Sequence, residues 1–127
     1  MRAIVVLDHG SRSADANAQL EELARRLAPR LPGTLVRVAH LELAEPNLAE
    51  AIDACAAAGA TEIWVHPFFV ATGRHVGEDI PRQVAACARR YPELAIRVTP
   101  PLGLHPSVVD AVLARIAEAV DAEGAGS

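Results

Sequence analysis

The sequence predicts a single doubly wound α/β lobe with a four-stranded parallel sheet, and three observations predict it. Four apolar, β-branched runs alternate with four helical patterns, the rhythm of βαβ units joined by right-handed crossovers. The length, 127 residues, suits one domain with one sizeable core. Hydrophobic residues make up 51% and charged residues 22%, an ordinary globular balance. Because aromatics are only 3%, that core has to be aliphatic.

The apolar runs are Ala3–Leu7, Leu35–Leu41, Glu62–Pro67 and Ala95–Thr99. The first is apolar throughout, as a central parallel strand covered on both faces should be. The second and fourth partly alternate, with Arg37 and Arg97 beside apolar neighbours, and belong nearer the sheet edges. Leu20, Leu23, Leu27 and Leu31 give the first helical pattern, opposite Glu21, Glu22, Arg25 and Arg26. Asn47 is a good cap for the second, with Glu50 placed to reach back to it. That helix buries Leu48, Ile52, Cys55 and Ala56, and Gly59 ends it in a left-handed turn. The third is expected to open at Asp79 and Pro81, with Ile80, Val84, Cys87 and Tyr91 on one face. Pro106 opens the fourth, and Val109, Val112, Leu113, Ile116 and Val120 share one stripe. Residues 1–121 are expected to form the lobe and 122–127 a flexible tail that frays.

Composition excludes several functions. The formal net charge is −4, and the pairs Arg25–Arg26 and Arg89–Arg90 are isolated on helix faces, so no nucleic-acid partner is expected. No window approaches the roughly 20 apolar residues of a membrane helix, and the first apolar run is too short for a secretion signal. Cys55 and Cys87 lack metal or redox spacing and read as small buried hydrophobes. A cytoplasmic location follows.

In a doubly wound sheet, ligands bind outside the carboxyl ends of the strands. Four segments lie there: Asp8–Arg12, Glu42–Pro46, Phe68–His75 and Pro100–Gly103. Among them, His9, His75, Glu42, Glu45, Arg12 and Arg74 gather the ionisable side chains on one rim, which makes it the candidate site. Each histidine alone reads most simply as satisfied by a backbone carbonyl. Two on neighbouring rim loops form an incomplete ligand set for Co²⁺, Ni²⁺ or Fe²⁺, suited to giving a metal away. Glu42 and Glu45 read equally well as a general acid/base pair or as charges ahead of the helix at Asn47. His66, inside the third run, reads as a core or edge histidine. His105 reads as a helix cap and Trp64 as packing against a helix. There is no Gly-x-Ser-x-Gly elbow, P-loop or Gly-x-Gly-x-x-Gly run, which removes the corresponding hydrolase and nucleotide chemistries.

Five motifs in order carry a resemblance. Asp8-His9-Gly10-Ser11-Arg12, Leu41-Glu42-Leu43-Ala44-Glu45-Pro46, Gly73-x-His75, Asp79-Ile80-Pro81 and Pro101-Leu102-Gly103-x-His105-Pro106 resemble the small, single-lobe sirohydrochlorin cobaltochelatases. The resemblance covers essentially the whole chain and implies a class II chelatase fold. The implied activity is ATP-independent insertion of a divalent metal into sirohydrochlorin, for cobalamin, siroheme or a related tetrapyrrole. The metal, Co²⁺ or alternatively Fe²⁺ or Ni²⁺, is then a substrate, and no permanently bound cofactor is implied. Larger relatives hold the tetrapyrrole between two lobes, so a small one is expected to pair as a homodimer.

By the same resemblance His9 is metal ligand and proton acceptor, and His75 the second ligand. Glu45 and the loop Val70, Ala71, Thr72, Gly73, Arg74 and His75 contact the tetrapyrrole. Imidazole suits the task, since it binds divalent metals and accepts protons near neutral pH. Arg12 and Arg74 are placed to meet substrate carboxylates. Two positions depart from the family pattern. Asp8 replaces a small residue, either adding a carboxylate to the metal site, orienting His9, or marking a site turned to another task. His40 replaces an aromatic or aliphatic one, close to the rim. The alternative function is a non-catalytic metal or tetrapyrrole carrier.

Overall fold

The computed structural model describes residues 1–126. Strands and helices alternate along the chain. The first half holds β1 (Arg2–Asp8), α1 (Ala14–Leu27), a 3₁₀ turn (Ala28–Arg30), β2 (Leu35–His40) and α2 (Leu48–Ala57). The second holds β3 (Glu62–Pro67), α3 (Arg74–Arg90), β4 (Ala95–Val98) and α4 (Pro106–Gly126). The four strands are parallel in the order β2-β1-β3-β4. As the patterns predict, the uniformly apolar run is central and the two arginine-bearing runs are the edges. No helix among the described residues is long and apolar enough to cross a membrane.

Parallel strands expose alternate side chains to opposite faces, and the two faces are closed differently. Ala3, Val5, Leu7, Ala39, Ile63 and Val65 point to the face covered by α2 and α3. There they meet Leu48, Ile52, Cys55, Ile80, Val84 and Cys87 in one dry core. Asn47 caps α2 with the expected reciprocal pair, its Oδ1 accepting from the Glu50 N–H at 2.8 Å while its own N–H donates to Glu50 Oε1 at 2.9 Å. The opposite face, which carries Ile4, Val6 and His66, is covered by α1 through the buried Leu20 and Ala24.

One expectation is corrected. Helix α3 opens at Arg74 behind the cap residue Gly73, five residues earlier than the Asp79–Pro81 signal indicated. Pro81 sits inside it, because the carbonyl that loses its donor belongs to exposed Gly77, where solvent can replace the bond and no side chain crowds the proline ring. Trp64 lies under the Arg97 guanidinium of the neighbouring strand, 5.4 Å from the ring centroid. The α4 stripe exists but is uncovered: Val109, Val112, Leu113, Ile116 and Val120 are each between 48% and 62% exposed. Residues 122–126 belong to the last turns of α4, and Ser127 lies outside the described residues.

Candidate active site

The rim begins where β1 and β2 end. Asp8 and His40 form the last register pair, and the ladder continues beyond them. The Leu41 N–H donates to the Asp8 carbonyl at 2.9 Å, and the Glu42 N–H to the His9 carbonyl at 3.0 Å. This close approach requires Gly10, whose φ is +94° and whose missing Cβ would lie 1.9 Å from the Glu42 carbonyl oxygen. The backbone therefore sets His9 and Glu42 side by side. His9 Nε2 lies 2.9 Å from Glu42 Oε1, and Nδ1 lies 3.4 Å from the Gly10 carbonyl. Both side chains are about half exposed, open to a ligand above the sheet.

Asp8 is engaged beneath this pair. Its Oδ1 accepts from Nδ1 of His40 at 2.5 Å, and His40 is buried. The carboxylate of Asp8 thus anchors a buried imidazole next to the rim. Glu42, weighed in sequence only as one of a pair with Glu45, is the carboxylate that meets His9. Glu45 stands exposed on the same loop. The signal that separates them is the β1–β2 register, which a lone sequence does not display.

The second half of the rim follows β3. The Phe68 N–H donates to the Leu7 carbonyl at 2.7 Å, binding this exit to β1. Val70, Ala71, Thr72 and Gly73 form an exposed loop, and Arg74 and His75 open α3. His75 is thus in the first turn of a helix, where a loop was expected, though still on the rim that follows β3, the strand next to β1. Arg74 Nε bonds Glu78 at 3.2 Å. Among the described residues no group of three or more His, Cys, Asp or Glu side chains is placed to hold a metal ion, so His9 and Glu42 stand as a pair. Leu43, Phe68 and Val70 leave apolar surface exposed on the two rim loops.

The other histidines and the cysteines take the roles read from sequence. His66 Nδ1 donates to Thr99 Oγ1 at 2.7 Å, and burial holds its pKa below the usual imidazole range. His105 Nδ1 accepts from the Ser107 N–H at 3.0 Å in the first turn of α4. Cys55 and Cys87 are free and buried, and desolvation raises both thiol pKa values, which makes them poor nucleophiles.

A four-stranded parallel lobe with its polar groups converging on the carboxyl rim is the architecture of the class II chelatases. Two solved structures share it. The CbiX protein of cobalamin biosynthesis from Marinobacter aquaeolei superposes with a TM-score of 0.84 at 27% identity, covering 95% of this chain and 98% of that one. The sirohydrochlorin chelatase SirB of Bacillus subtilis subspecies spizizenii, in complex with cobalt, gives 0.84 at 32% identity, covering 92% and 50%. The CbiX family model matches residues 3–119, and the chain belongs to that family.

Its relatives bear two kinds of name. The chloroplastic sirohydrochlorin ferrochelatase of Arabidopsis thaliana is 38% identical over 113 residues, 89% of this chain and 50% of the relative. The sirohydrochlorin cobaltochelatase of Methanosarcina barkeri is 31% identical over 124 residues, covering 92% of this chain and 95% of the relative. The chain spans about half the length of the ferrochelatase relatives it matches.

Proposed function

We propose that this chain inserts a divalent metal into sirohydrochlorin without ATP, working as a homodimer in the cytoplasm. The observation that carries the reading is the contact between His9 Nε2 and Glu42 Oε1 at an exposed strand end. Metal insertion replaces two pyrrole N–H protons by one M²⁺, so a site needs a proton acceptor and donors that bind the metal without trapping it. His9 takes one pyrrole proton, the other leaves to solvent water, and the Glu42 carboxylate beside His9 stabilises the imidazolium that results. With no proton between them, the same nitrogen and oxygen are a mixed pair of metal donors, joined by His75 from the first turn of α3. An incomplete donor set leaves positions open for exchange to ring nitrogens.

Glu45 and the Val70–His75 loop support the tetrapyrrole, whose flat apolar surface matches exposed Leu43, Phe68 and Val70. Arg12 and Arg74 meet its carboxylates. Co²⁺ is the leading metal, in line with the single-lobe relative's name. Fe²⁺ is favoured by the ferrochelatase names, and Ni²⁺ fits an imidazole site equally well. Buried reduced thiols fit a cytoplasmic setting.

Anaerobic incubation of sirohydrochlorin with Co²⁺, Fe²⁺ and Ni²⁺ in competition tests this reading. The metallated spectrum is expected to form over many turnovers, at a rate reduced at least a hundredfold in His9→Ala, the usual scale for losing a general base. Glu42→Gln is expected to lose more activity than Glu45→Gln. Stoichiometric binding without turnover would replace the enzyme by a metal or tetrapyrrole carrier.

A further inference from the structure

His9 joins two stretches of chain that are held by different partners. Before it, the backbone belongs to the sheet: the Leu41 N–H bonds the Asp8 carbonyl, and the Glu42 N–H the His9 carbonyl. After it, the partner is Asn17, near the start of α1. Asn17 Oδ1 accepts from the Ser11 N–H at 3.0 Å, and its Nδ2 donates to the Ser11 carbonyl at 2.7 Å. One side chain thus closes both backbone groups of one residue, as a neighbouring strand would. An N–H needs an acceptor and a carbonyl a donor, so the amide sits only this way round. Asn17 is seated in turn, because its own N–H bonds the Ser13 carbonyl at 3.2 Å and the Ser13 hydroxyl caps α1. Between sheet and clasp lies Gly10 at φ +94°. Glycine takes either sign of φ readily, so its neighbours hold it there.

The Ser11 N–H shares a trans peptide plane with the Gly10 carbonyl, which points the opposite way. Holding one end of that plane aims the other. The Gly10 carbonyl lies 3.4 Å from His9 Nδ1, while Nε2 faces Glu42 Oε1 at 2.9 Å. The carboxylate is the stronger acceptor and draws the proton of the neutral ring to Nε2. Metal on Nε2 leaves that proton on Nδ1, with none gained or lost overall, and an acceptor is then needed at Nδ1. The Gly10 carbonyl is in place for it.

We propose that Asn17 is a positioning residue for His9: by holding the Ser11 N–H it turns the Gly10 carbonyl to Nδ1, and so frees Nε2 for metal. The inference deepens the chelatase reading and rests on it for the part His9 plays. Asn17 acts through a single peptide group and not on the metal itself.

Proton NMR of the Co²⁺-loaded chain and steady-state kinetics test the relay. The wild type is expected to show an exchangeable, strongly shifted ring proton on His9 Nδ1, assigned by its loss in His9→Ala. Asn17→Ala is expected to keep its helix content but to lose that signal to exchange with water. Its half-saturating Co²⁺ concentration should rise about tenfold, the lower end for losing a group behind a metal ligand, with the value for sirohydrochlorin unchanged. Asn17→Asp keeps an oxygen for the Ser11 N–H and gives up only the bond to the Ser11 carbonyl, so it should recover both readouts. An alanine variant with the wild-type signal and metal dependence would overturn the proposal and leave Asn17 a structural clasp. So would an aspartate variant no better than the alanine one, or a wild type without the proton. A Co²⁺-loaded wild type that shows the proton but never metallates sirohydrochlorin would sink the chelatase reading alone.

Discussion

One face of the sheet is closed by α2 and α3, which follow β2 and β3 and lie over Val5, Leu7, Ile63 and Val65. The other has α1 over half its width and an open apolar groove over the rest. The same four strands supply both faces, with similar aliphatic residues. What differs is the chain that returns across them. Crossovers between consecutive strands must come back to the sheet and so cover it, whereas a helix after the last strand has no strand to return to. The closed face therefore carries most of the lobe's own stability, and the open face leaves apolar surface uncovered.

The largest test of that contrast compares truncations on the two faces. Ile52→Ala, in the dry core, is expected to cost about 2–5 kcal/mol in urea unfolding. Leu27→Ala, half-buried on the groove wall, is expected to cost under about 2 kcal/mol. Equal losses would break the distinction. Next in size is Gly10→Ala, at the rim where the two faces meet. An alanine there is strained by φ and collides with the Glu42 carbonyl, costing about 1–3 kcal/mol of stability. Because the shift separates Glu42 from His9, the chelation rate should fall by more than that stability loss implies. Wild-type turnover in Gly10→Ala would detach the rim geometry from the chemistry.

The smallest effect is a pH dependence of the open face. Burial lowers the His66 pKa, so the unfolded chain takes up this proton before the folded one does. Stability is then flat above the unfolded value of about 6.5 and declines as pH falls from there through the folded value. His66→Phe should remove this part of the decline, as read from unfolding midpoints between pH 8 and 5. An unchanged slope would assign the acid sensitivity to other groups.

Much of the lobe was legible because its signals are local. The uniform run Ala3–Leu7, the arginine-marked edges and the Asn47–Glu50 cap each report their own backbone environment. The start of α3 was not legible, since a proline normally marks a first turn and nothing nearby announces that Gly77 makes it tolerable further in. The α4 stripe was visible as periodicity, but periodicity states that a face needs cover and not what covers it. In the site, His9 and His75 stood out as imidazoles on one rim. Glu42 did not stand apart from Glu45, because three positions along a loop look alike until strand register chooses between them.

By itself, then, the sequence determined the alternation of strands and helices, the central strand, the rim that holds the polar groups, and the family those motifs resemble. All of these depend on neighbours within a few residues or on the order of segments. Tertiary structure alone decided that Glu42 meets His9, that Asp8 serves His40 beneath them, and that α4 leaves the groove beside α1 uncovered. Those outcomes depend on which backbone lies beside which, and on hydrogen bonds between segments far apart in the chain, such as Glu42 to His9 and Gly103 to Phe69.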